Sequence, residues 1–163
     1  EIINTYGPTE CTDLAAFYRI SNQEIEQLKV IPIGKPLNNV EIYIVDQEMN
    51  LVPIGVTGEL CIAGVGLARG YYNAPDLTRE KFVEFPKITE KKVYKTGDMA
   101  RWMPDGNIEF IGRKDNLTKI RGFRVEVGEI ETCLMKHPDV DEVVVVAIED
   151  TFGTKVLSAY FVA

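Results

Sequence analysis

Over the first two thirds of the chain, apolar and polar positions alternate or cluster in short β-branched bursts between turn residues. "LAAFYRI" (14–20), "VEIYIVD" (40–46) and "GELCIAG" (58–64) read as strands, each bounded by Gly, Pro or Asn. A polar linker with a short helix, "NQEIEQL", separates the first two, and "QEMNLVPIGVTG" has turn chemistry. "PDLTREKFV" (75–83) opens on Pro with early acids, which predicts a short helix. "KVYKTGDMARWM" and "NIEFIGR" flank "PDG" and predict a hairpin. After Arg113 the character changes. "KDNLTKIRGFRVEV" is charged, and "VGEIETCLMKHP" places apolar residues at 127, 130 and 134 ahead of a stopping proline, as in a helix. "DEVVVVAIED" is continuously apolar and predicts a buried strand, and "VLSAYFVA" predicts another. A domain boundary is expected near Lys114–Asn116, β-rich before it and strand–helix–strand after it. The roughly 50 residues that follow fall below what usually sustains an independent core. The first residue is not Met and the last lies in a strand pattern, as expected of a piece of a longer chain.

Composition narrows the function classes. The 163 residues are 45% hydrophobic with a formal net charge of −7, so a core can form and no bulk field attracts nucleic acid or anionic membrane. The basic run "RKDNLTKIRGFR" is flanked by acids and reads as a local site or a solvated face. Cys11, Cys61 and Cys133 are far apart and outside any C-x-x-C pair, which reads as reduced thiols in a cytoplasmic protein. A single histidine, His137, excludes a His-rich metal site, and no apolar run is long enough to span a membrane.

Three motifs carry chemistry. "AGVGLARGYYN" spaces its glycines G-x-G-x-x-x-G and continues into Tyr-Tyr-Asn, so it reads as a strand-end turn and not as a dinucleotide loop. "YKTGD" sets Asp98 at a backbone turn, where it can accept hydrogen bonds from a vicinal diol such as ribose. An Asx-type turn explains the pentapeptide equally well. In "NTYGPTE", Tyr6 offers a stacking face to a base, and Gly7-Pro8 would bend Thr9 and Glu10 toward one point. There a hydroxyl suits a phosphate oxygen and a carboxylate suits Mg²⁺. A Gly-Pro loop leading into a helix N-cap explains that segment equally well.

Taken in order, "NTYGPTE", "GELCIAGVGLARGYYN" and "YKTGD" running through "PDGNIEFIGRKDNLTKIRGFRVEVGEIE" resemble the adenylate-forming superfamily. The resemblance is strongest to the amino-acid adenylation domains of non-ribosomal peptide synthetases. It covers nearly the whole chain, and the third block is its most specific part. The fold it implies is α+β and β-rich: residues 1–114 as the C-terminal part of the large adenylation domain, including its distorted β-barrel subdomain, then 115–163 as the truncated start of the small C-terminal α+β domain. It implies Asn4 and Tyr6 at the adenine, Thr9 at phosphate, Glu10 as Mg²⁺ ligand, and Asp98 on both ribose hydroxyls. Phe110 becomes a wall beside the nucleoside and Arg113 a cation near ribose and phosphate. Asp115 becomes the hinge, and the loop around Gly122 faces the site in the second half-reaction. Thr5, Asp13 and Leu14 fall at substrate-pocket positions, where Asp13 would favour a polar or cationic side chain.

The implied chemistry is formation of an aminoacyl-adenylate from an amino acid and MgATP, then transfer to the phosphopantetheine thiol of a peptidyl carrier domain, as in antibiotic biosynthesis. The family's phosphate loop, its amino-acid-binding residues and its catalytic lysine are not in this sequence; Lys155 does not match that lysine. The chain alone is therefore expected to be inactive and to need the remainder of the adenylation domain. A D-alanine–carrier-protein ligase, an acyl-CoA synthetase and a non-catalytic interaction module are the alternatives. "RGFRVEVGEIE" and "GVGLARGYYN" favour the peptide-synthetase branch, and intact Tyr6, Thr9, Glu10, Asp98 and Arg113 argue against a decayed site.

Overall fold

The computed structural model describes residues 2–21, 28, 30–86, 88–114, 117–120, 123–149 and 155–163. The segment 22–28 expected to be helical, the hinge residue Asp115 and the loop residue Gly122 lie wholly or largely outside the described residues. The chain divides into two compact units, Glu1–Lys114 and Asp115–Ala163.

In the first unit, β1 (Ile2–Tyr6), β2 (Ala16–Ile20) and β3 (Lys35–Pro36) form an antiparallel sheet in that order. A second antiparallel sheet holds β4 (Val40–Val45), β5 (Gly58–Gly64), β6 (Phe82–Glu84), β7 (Lys92–Trp102) and β8 (Ile108–Arg113). Its order is β4-β5-β7-β6, with β8 also on β7. A bridge between Gly34 and Ile108 links the end of the first sheet to β8, so the two sheets curl into a half-barrel. Ile42, Ile44, Leu60, Ile62, Tyr94 and Ile108 fill its core with Cys11, Ala15 and Ala16. Each large buried side chain contributes about 1.5–3 kcal/mol.

Helix α1 (Pro75–Lys81) starts on Pro75, with Asp76 in its first turn and Arg79 and Lys81 in its last, each matched to the helix dipole. It stops two residues before the sequence predicts. Phe82 and Val83 leave helical geometry to pair with Tyr94 and Val93, and Phe82 goes into the core. The hairpin around "PDG" forms as β7 and β8.

In the second unit, β9 (Leu117–Ile120) pairs with β10 (Phe123–Glu126), and α2 (Val127–Leu134) precedes the hairpin of β11 (Glu142–Glu149) and β12 (Lys155–Val162). The expectation of a buried strand at "DEVVVVAIED" does not hold. Val145 is buried in β11, while Val144 and Ile148 are exposed. The reason is coverage: α2 packs against one face of β11, and its Glu131 accepts the Val145 N–H at 2.8 Å. The alternate residues point the other way.

Candidate functional site

The site is built from two stretches far apart in sequence. "NTYGPTE" runs off the end of β1 and closes into a 3-10 turn over Thr9–Cys11. Gly7 is required by close approach: a Cβ there would meet the Asp13 carbonyl oxygen at 2.6 Å. This closeness lets the turn fold back, with the Ala15 N–H reaching the Tyr6 carbonyl at 2.8 Å.

The second stretch is "TGD" in β7. It is a bulge within a strand and not a free turn. Glu59 pairs with Met99 and Cys61 with Lys95, so two steps along β5 face four along β7. The Thr96 hydroxyl spans the gap, donating to the Leu60 carbonyl at 2.6 Å and accepting the Asp98 N–H at 2.9 Å. Glu59 accepts the Gly97 N–H at 3.3 Å and forms an ion pair with Lys114 at 3.5 Å.

The two stretches meet at Asp98, which is 7% exposed. Oδ2 accepts the Tyr6 hydroxyl, and Oδ1 accepts Arg113 Nη1 at 2.7 Å. Arg113 is the cross-strand partner of Asp98, which fixes its approach. A second irregularity follows at once: Met99 pairs with Gly112, but Ala100 pairs with Phe110. The skipped residue brings Phe110 and Arg113, three apart, to the same face of the sheet. The Phe110 ring lies 6.5 Å from that of Tyr6, tilted by 38°, and is 39% exposed, so it forms a wall open to solvent. Burial first, then the Asp98 charge, raises the Tyr6 phenol well above its ordinary range, so it stays a neutral donor. A carboxylate has about four lone-pair positions, so each Asp98 oxygen can accept a further donor.

The other expected residues are placed less uniformly. Asn4 gives its side-chain N–H to the Pro32 carbonyl at 2.7 Å. Thr5, Asp13 and Leu14 are exposed, as is Thr9. Glu10 instead turns inward, at 7% exposure, and accepts the Tyr71 hydroxyl at 2.6 Å. The Tyr94 hydroxyl stands 3.2 Å from that of Tyr71. Thr9 is thus exposed and its neighbour Glu10 buried. Among the described residues, no three His, Cys, Asp or Glu side chains are grouped to hold a metal ion. Glu10 could therefore serve a cation only as a single carboxylate. Sequence reasoning missed Tyr71, Tyr94, Thr96 and Glu59. The "YYN" after the glycine turn served only to exclude a dinucleotide loop, and nothing local pairs Tyr71 with an acid 61 positions earlier.

Residues 1–72 match a family described as AMP-binding enzyme. The chain is 54% identical to bacitracin synthase 1 of Bacillus licheniformis over 98% of its own length, and 50% identical to tyrocidine synthase 1 of Brevibacillus parabrevis over 99%. It spans only 3% and 15% of those two proteins. Among solved structures, it matches a non-ribosomal peptide synthetase protein containing adenylation and PCP domains, at 31% identity and a TM-score of 0.83. That match covers 98% of this chain and 32% of the other. The chain belongs to the AMP-binding, adenylate-forming family. Within it, its relatives are adenylation domains of non-ribosomal peptide synthetases. A four-domain synthetase described as bound to AMP and glycine is 39% identical, with a TM-score of 0.64, and the match covers 98% of this chain and 12% of that one. Among the described residues, no helix of this family member is long and apolar enough to cross a membrane.

Proposed function

We propose that this chain is the nucleoside-binding portion of a cytoplasmic, ATP-dependent enzyme that joins an amino acid to AMP. That enzyme then passes the acyl group to a phosphopantetheine thiol on a carrier domain. The observation that carries this reading is the meeting of Tyr6, Phe110, Asp98 and Arg113 on one face of the half-barrel. The relative bound to AMP and glycine supports these ligand classes, and the adenylation–PCP relative supports a carrier partner.

The roles are those the family resemblance implies, and the contacts around Asp98 support them. Asp98 uses its remaining lone pairs for the two ribose hydroxyls, while Arg113 orients it. Tyr6 and Phe110 give aromatic faces to adenine, with Asn4 beside them on β1. Thr9, exposed at the turn, donates to a phosphate oxygen. Glu10 would hold Mg²⁺ as a lone carboxylate, the rest of the coordination coming from phosphate and water, as this ion favours. When bound, Mg²⁺ would neutralise phosphate charge. Asp115 acts as the hinge and the Gly122 loop serves the transfer step. Thr5, Asp13 and Leu14 border the amino-acid side chain.

The test is amino-acid-dependent pyrophosphate exchange by the full-length protein. Replacing Asp98 with Asn removes charge-assisted bonds of about 1.5–3 kcal/mol, so the KM for ATP should rise on the order of 10- to 100-fold while the KM for the amino acid holds. An unchanged KM for ATP contradicts the assignment. The peptide-synthetase relatives, at 50% identity and above, leave no observation favouring a D-alanine ligase, an acyl-CoA synthetase or a non-catalytic module.

A further inference from the structure

Glu10 is held at both its backbone and its side chain by the glycine loop that follows β5. The Ala68 N–H donates to the Glu10 carbonyl at 2.8 Å, and the Tyr71 hydroxyl donates to Glu10 Oε1 at 2.6 Å. From the same side, Thr12 Oγ1 donates to the Gly66 carbonyl at 2.7 Å. Tyr71 is itself fixed. Its N–H donates to Thr78 Oγ1 at 2.9 Å, and Thr78 donates in turn to the Ala74 carbonyl at 2.9 Å, which ties the loop to α1. Gly70 sits at φ 145 against Thr78, where an added Cβ would meet Thr78 Cγ2 at 2.4 Å. The Tyr71 ring packs edge-on against buried Phe82 at 5.6 Å. Behind it stands Tyr94, 1% exposed. The Tyr94 hydroxyl lies 3.2 Å from that of Tyr71, and it hydrogen-bonds Glu10 as well. Two phenols thus converge on one carboxylate.

A hydroxyl spent only on filling the core would need no such support. We propose that Tyr71 is a positioning residue for Glu10, with Tyr94 behind it. The pair orients the carboxylate toward the metal–phosphate group of the nucleotide. This rests on the reading of Glu10 given under Proposed function. Partners that orient a metal-ligating carboxylate typically change metal affinity by about 10- to 100-fold when removed.

The test uses the full-length protein with α,β-methylene-ATP, and reads Mn²⁺ affinity by electron paramagnetic resonance. Tyr71→Phe, which keeps the ring and its packing, should weaken Mn²⁺ binding about tenfold while adenosine affinity stays at the wild-type value. Tyr94→Phe should move it in the same direction by less, and it decides the question if Tyr71→Phe does not fold. Glu10→Gln separates the two possible failures. If Glu10→Gln weakens Mn²⁺ binding and neither phenylalanine variant does, the positioning role is overturned and the Glu10 assignment stands. If Glu10→Gln has no effect, the Glu10 assignment falls and the inference falls with it. A parallel loss of adenosine affinity in Tyr71→Phe also overturns it, because that marks a general structural role.

Discussion

Asp98 illustrates how much a single side chain depends on its surroundings here. Its carboxylate is nearly buried, and it is tolerable there because Tyr6 and Arg113 each supply a donor. Removing the cation with Arg113→Ala should destabilise the chain by about 2 kcal/mol, read from the shift of its thermal midpoint; no shift contradicts the pairing. The thiols make a second prediction at this scale. Burial pushes Cys11 and Cys61 up to about 12, with the nearby Glu10 and Glu59 charges adding to it. Cys133 is exposed. Iodoacetamide at pH 8 should alkylate Cys133 quickly and the other two only on unfolding. The two buried groups have an ordinary value of 9.0 that is raised by folding. Their stabilising contribution is therefore complete below pH 9 and is lost as pH rises toward 12. The denaturant midpoint should fall over that window; a flat profile contradicts the burial. Asp98, Tyr6 and Glu10 were visible in the sequence as candidate chemistry. Their partners Tyr71, Tyr94 and Thr96 were not, because a hydroxyl's hydrogen bond to a distant residue leaves no local pattern.

At the level of elements, legibility follows the length of the signal. β5 spans the same residues, 58–64, as its apolar run, and α1 starts on the proline that announces it. Boundaries set by tertiary contact were unreadable: α1 ends early because Phe82 is drawn into the core. The β11 apolar run gave no hint that only one face is covered. Least readable were the two pairing irregularities, one between β5 and β7 and one between β7 and β8: the first seats Asp98 and the second brings Phe110 round to join Arg113. The 3-10 turn depends on close packing in the same way. Gly7→Ala drives a methyl into the Asp13 carbonyl, and should cost about 1–3 kcal/mol. A thermal midpoint equal to that of the parent sequence contradicts that packing.

For the molecule as a whole, the contrast between units governs behaviour. Glu1–Lys114 contains both hydrophobic clusters, whereas among the described residues of Asp115–Ala163 only Val127 and Val145 are buried apolar side chains. In urea the second unit should unfold first. Far-UV circular dichroism should begin to fall before the fluorescence of Trp102, the only tryptophan, which lies in β7; coincident transitions contradict this. One bent peptide and one strand bulge, more than eighty residues apart, are proposed to enclose a single nucleoside. A crystal structure of the full-length protein with AMP tests this most directly. Both ribose hydroxyls should lie within hydrogen-bonding distance of Asp98, with the adenine against the Tyr6 and Phe110 rings. AMP bound with its ribose away from Asp98 would contradict this.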